Sequence, residues 1–124
     1  MVLDASALLA WLQAEPGSER VDALLSESAI SSVNWSEVVQ KALDSGVDIM
    51  GMREELLALG LSIVDFTASQ AELAAALRQA TRKKGLSLGD RACLALAREK
   101  GMPVLTADRA WKSLRLGLKI QLLR

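Results

Sequence analysis

A three-layer α/β/α sandwich around a central, mostly parallel sheet of about five strands is the fold class this sequence predicts. Three observations carry it. Short segments rich in Val, Ile and Leu alternate along the chain with longer stretches of helical periodicity, the pattern of a parallel sheet covered on both faces. Apolar residues make up 51% of the chain but aromatics only 3%, so the core is aliphatic, which suits helices packed on a sheet better than an all-β sandwich. At 124 residues the chain is one domain, 1–124. A fold of that length buries roughly two-thirds of its unfolded surface.

The elements follow in order. VLD (2–4) is the first strand, with Asp4 at the start of the apolar run that comes next. AIS, around Ile30, is the second strand. Residues 33–45 set Trp35, Val38, Val39, Ala42 and Leu43 at the i, i+3, i+4, i+7, i+8 spacing of one buried helical stripe, and Gly46 stops that helix. Residues 48–59 read as a further helix, with Asp48 as N-cap and Gly60 as its end. LSIVD (61–65) is the third strand. Thr67 and Gln70 form a capping box that opens a helix closing before Gly85. SLGDRACLALAREK (87–100) is helical, with Leu88, Ala92, Ala95 and Leu96 on one face. Gly101-Met102-Pro103 then turns the chain into the strand PVLT, and KIQLL (119–123) is the last strand. No repeat, low-complexity tract or linker divides the chain.

Composition narrows the chemistry. There is no histidine, which removes Ser-His-Asp triads, Cys-His pairs and the usual zinc sites. The one cysteine, Cys93, excludes an internal disulfide and reads as a core filler. No apolar run reaches the roughly 18 residues of a membrane span, and a secretory signal pattern is missing, so the expected location is the cytoplasm. Net charge is zero, yet residues 1–77 hold 12 acids and 3 bases while residues 78–124 hold 3 acids and 12 bases. The basic residues Arg82, Lys83 and Lys84 form a run that is either a solvated face or a phosphate-contacting surface.

Four acids fall at or near helix starts: Asp4 after the first strand, Glu37 after the second, Asp90 in SLGD, and Asp108 after PVLT. In an open parallel sheet such positions gather outside the carboxyl ends of the strands, where ligands bind. Helix capping is the competing explanation for Asp4, Asp90 and Asp108, and Glu37 lies opposite the apolar stripe of its helix, as any exposed glutamate would. If the acids converge they need a shared cation, because two carboxylates about 4 Å apart repel by roughly 4 kcal/mol at an effective dielectric near 20. Mg²⁺ or Mn²⁺ suits an all-oxygen donor set.

VLDASALLAWLQAEPG, ISSVNWSEVV and LSLGDRACLALA followed by PVLTAD together resemble the PIN domain, specifically the VapC-type toxin ribonucleases of toxin-antitoxin pairs. The resemblance runs from residue 2 to the final strand. It implies a PIN-like sandwich and metal-dependent hydrolysis of RNA, with Asp4, Glu37, Asp90 and Asp108 matching the family's acidic residues and Asp4, Asp90 and Asp108 as metal ligands. Ser6 and Thr106 match hydroxyl positions that orient carboxylates, and Asn34 matches a polar position one turn before Glu37. Arg91, with Arg82, Lys83 and Lys84, is assigned to substrate phosphate; for Arg91 a surface ion pair is the alternative. A homodimer and a cognate antitoxin are the implied partners. Two rivals stand beside this reading: a receiver- or phosphatase-like α/β domain, which the DAS and PVLTAD segments serve poorly, and a non-catalytic PIN-like module that binds RNA or protein.

Overall fold

Strand residues of the central sheet alternate strictly between two cores, and this divides the molecule into layers. The computed structural model describes residues 1–124. Its strands are β1 (Val2–Leu3), β2 (Ala29–Ser31), β3 (Ser62–Val64), β4 (Val104–Thr106) and β5 (Ile120–Leu122). The helices are α1 (Ala5–Leu12), α2 (Ser18–Leu24), α3 (Ser32–Asp44), α4 (Met52–Ala58), α5 (Ala68–Thr81) and α6 (Leu88–Lys100). Leu3, Ile30 and Leu105 point into a core shared with α1, α2, α3 and α4. Their neighbours Val2, Ala29 and Val104 point into the opposite core, against α5 and α6. Successive strand side chains face opposite ways, so the central strands are apolar at both positions.

The sheet runs β3-β2-β1-β4-β5, and every pairing is parallel rather than mostly so. Because the chain leaves β1 toward β2 and leaves β4 toward β5, connections depart in opposite directions from two adjacent strands. A crevice opens between them at their carboxyl ends. Asp4 stands directly there, with its N–H donating to the Leu105 carbonyl at 3.0 Å.

Helix α6 shows how local chemistry sets the elements. Ser87 and Asp90 form a reciprocal capping box at its start, and Gly101 ends it at φ +64°, a left-handed conformation that glycine adopts without penalty. Between them Ala92 to Ala97 are all buried, Cys93 included, so this helix is central to its layer. Burial pushes the Cys93 thiol well up, reinforced by the charges of Asp4, Asp90 and Glu37, and leaves it an inert core group.

Two expected helix starts differ. The 48–59 segment becomes helical only at Met52, because Asp48 Oδ1 accepts the Met50 N–H at 3.0 Å in a local turn and Gly51 takes the N-cap place. At α5 Thr67 caps the Gln70 N–H as expected, but the Gln70 side chain leaves the box, is buried, and donates to Glu99 Oε1 at 3.2 Å. After α5, Arg82–Lys84 form one 3₁₀ turn before Gly85. No helix is long and apolar enough to cross a membrane.

Candidate functional site

Asp4 occupies the N-cap position of α1, yet its side chain caps no amide. Only 6% of the residue is exposed. Its Oδ2 accepts from Ser6 Oγ at 2.7 Å and from Thr106 Oγ1 at 3.0 Å. The hydroxyl oxygens are themselves occupied as acceptors: the Ala107 N–H donates to Ser6 Oγ at 2.9 Å and the Asp108 N–H to Thr106 Oγ1 at 3.0 Å. Each hydroxyl has one proton, and both are directed at Asp4. Asp4 Oδ1 accepts no hydrogen bond and is not enclosed by protein.

Burial raises the Asp4 carboxyl above its ordinary value of 3.8, the Ser6 and Thr106 hydroxyls pull it down, and the charges of Asp90 and Glu37 raise it further. Glu37 on α3 and Asp90 on α6 therefore both act on Asp4, which stands between β1 and α1. No lysine or arginine relieves them, since the two ion pairs in the molecule, Arg53–Glu54 at 3.7 Å and Arg124–Glu15 at 3.6 Å, lie at the surface elsewhere.

Glu37 is half-buried, not the exposed glutamate its position opposite the stripe suggests. Asn34, fully buried, donates through Nδ2 to Glu37 Oε1 at 2.9 Å and to the Gly89 carbonyl at 2.9 Å, tying α3 to α6. Asp90 accepts the Ser87 N–H on Oδ2 at 3.0 Å, and Asp108 accepts the Ala110 N–H on Oδ1 at 3.0 Å. Capping thus uses one oxygen of each and leaves the other free. Asp108 differs from the other three: it is exposed, and it is not among the charges acting on Asp4. It borders a polar groove of about 450 Å³ lined by Ser6, Gln13, Lys41 and Arg124. Lys41 and Gln13 carry no sequence signal beyond helix-surface polarity.

Arg91 forms no surface ion pair. Its Nη1 donates to the Ala74 carbonyl at 2.9 Å, holding α6 to α5, and its Nε is buried with no partner. Arg82, Lys83 and Lys84 are exposed beside the segment leading to Ser87 and Asp90, and Lys84 Nζ donates to Ser113 Oγ at 2.9 Å.

Whether these residues suit a divalent ion turns on their donors. No three acidic, histidine or cysteine side chains converge into a ready-made metal cage. Mg²⁺ does not require one: it keeps several waters and takes one or two carboxylates together with substrate phosphate. Uncompensated carboxylates with free oxygens and no competing nitrogen or sulfur ligand fit that mode, with Asp4 Oδ1 the central donor.

The family model described as PIN domain matches residues 1–116. Ribonuclease VapC30 of Mycobacterium tuberculosis is 34% identical over 114 residues, covering 85% of this chain and 87% of the relative. A toxin-antitoxin complex from Klebsiella pneumoniae superposes with a TM-score of 0.74 at 20% identity, over 99% of this chain and 97% of that one. The DNA-bound VapBC structure from Salmonella typhimurium gives 0.69 at 20% identity, with the same coverage.

Proposed function

The chain belongs to the PIN-domain family, and on that premise we propose that it is a metal-dependent endoribonuclease, the toxin of a toxin-antitoxin pair. One observation carries the reading. A nearly buried carboxylate at a helix start caps nothing, is aimed by two hydroxyls, and faces two further acids with no cation of the protein to neutralise them. An arrangement that costs stability in the isolated chain is retained for a ligand.

Asp4 and Asp90 would hold Mg²⁺ or Mn²⁺, with Asp108 as the further ligand its place in the sequence pattern implies, and the ion would supply polarisation of the phosphodiester and a lowered pKa for water. The protein's own groups do the positioning. Ser6 and Thr106 fix Asp4 Oδ2, which leaves Oδ1 toward the crevice. Glu37, held by Asn34 on Oε1, keeps Oε2 free to take a proton from water. Arg82, Lys83 and Lys84 supply positive charge to the RNA backbone near Asp90, whereas Arg91 is committed to Ala74 and serves the fold.

The antitoxin is assigned to the apolar surface of α3, α4 and their connection, where Leu43, Val47, Met50 and Leu57 are exposed and Trp35, Val39, Met50 and Met52 line a groove. A second copy of the chain is the other partner of this reading. Sedimentation with and without antitoxin tests both.

Purified protein is expected to cut structured RNA with Mg²⁺ or Mn²⁺, to stop with chelator, and to resume when metal is returned. RNA binding with no cleavage under any divalent ion would favour the second reading, a non-catalytic module, which the lack of a ready-made cage and the capping roles of Asp90 and Asp108 support. Thr106→Val keeps the side chain's shape but removes one of the two protons aimed at Asp4. It is expected to lower cleavage about 10- to 100-fold, the usual effect of losing a group that orients a metal ligand. The lost hydrogen bond also raises the Asp4 carboxyl further, so the variant regains activity at higher pH, and a pH–rate profile superimposable on the parent's would contradict this.

A further inference from the structure

Gly89 sits inside the first turn of α6 with ordinary right-handed helical backbone, so no turn or left-handed conformation calls for glycine there. In a helix glycine is less favourable than alanine. Its reason lies across the helix interface. A Cβ placed on Gly89 would stand 2.5 Å from Glu37 Oε2 and 2.7 Å from Glu37 Cδ and Oε1. The Glu37 carboxyl group already fills that space.

Asn34 closes the same arrangement from below. Its Nδ2 donates to both Glu37 Oε1 and the Gly89 carbonyl, and its Oδ1 is buried without a partner. Reversing the amide would set oxygen against two acceptors, so the two donations fix its orientation. Glu37 is therefore confined by the bare backbone of Gly89 on one side and an amide donor on the other.

We propose that Gly89 is a positioning residue: with Asn34 it forms a seat for the Glu37 carboxylate, and the missing side chain at position 89 sets where Glu37 meets Asp4 and Asp90. The kinetic consequence rests on the nuclease reading; the structural one does not. Since the group that a new Cβ meets is the end of a flexible side chain, the fold yields easily and Glu37 takes the whole displacement.

Gly89→Ala tests this. The variant is expected to melt no lower than the parent, because alanine also reduces the freedom of the unfolded chain. Its crystal structure is expected to show Glu37 moved off the Asn34 amide. More Mn²⁺ is expected for half-maximal thermal stabilisation, and kcat is expected to fall at least about tenfold with KM for RNA unchanged, as for other groups that orient a site from behind. In a Glu37→Gln background Gly89→Ala is expected to cost nothing further, since residues acting through one group are not additive. An unmoved Glu37 in the variant, or equal losses in both backgrounds, would overturn the proposal. If the variant does not fold, Asn34→Ala removes the seat from the other side and is judged by the same crystal and Mn²⁺ measurements. A parent that neither binds Mn²⁺ nor cuts RNA defeats the nuclease reading, and the seat then stands or falls on the position of Glu37 alone.

Discussion

Asp4→Asn is expected to lose at least about a hundredfold of RNA cleavage, the scale on which preorganised charge contributes at reacting centres, and still to melt at a higher temperature than the parent at neutral pH. The two effects have one cause. Burial holds the Asp4 carboxyl above 3.8, so between that value and the raised folded one the folded protein keeps a proton that the unfolded chain has released. Stability then falls as pH rises through the window, and above it the ionised group carries the full penalty. The amide never ionises, yet its oxygen still accepts from Ser6 and Thr106. Thermal melts across pH check the sign: the variant's advantage is expected at neutral pH and is expected to vanish below 3.8, where both side chains are neutral. Cleavage at the parent's rate, or an advantage that persists unchanged into acid, would refute it.

Trp111→Ala is expected to destabilise the protein by about 3–5 kcal/mol, the range for deleting a large buried aromatic, against a total of about 5–15 kcal/mol for a typical domain. Trp111 is 1% exposed and lies in the core against α5 and α6, on the 3₁₀ turn Arg109–Ser113. Its Nε1 has no partner, so the loss is one of packing rather than hydrogen bonding. The same turn begins at Asp108, whose carbonyl accepts the Trp111 N–H at 3.2 Å. A cavity beneath the turn therefore loosens a site acid as well as the fold. Urea denaturation measures the first effect, and Trp111→Phe, which refills most of the space, is expected to recover more than half of it. A variant as stable as the parent would show that the ring is not supporting this layer.

The five strands were legible because each is a short aliphatic run bounded by turn chemistry, and the α6 cap because Ser87 and Asp90 stand at the right spacing. Crevice membership of Asp4 followed from strand order, which the alternation of elements implied without fixing. What escaped was decided between elements. Glu37 looked exposed on its own helix, and only α6, fifty residues later, half-buries it. Gly89 carries a fainter signal than the neighbouring Asp90, although a glycine among good helix formers marks a close approach. Arg91 turned inward to a carbonyl of α5, and Gln70 to Glu99, because tertiary partners outcompeted local ones. The 48–59 helix starts late since Asp48 satisfies a nearby amide in a turn.

Asp4 is aimed by one hydroxyl two positions along the chain and by another 102 positions away. During synthesis, the early part of the polypeptide leaves the ribosome long before the threonine that completes the aiming. A chain that stops short of that threonine therefore lacks one of the two hydroxyls that fix Asp4 Oδ2.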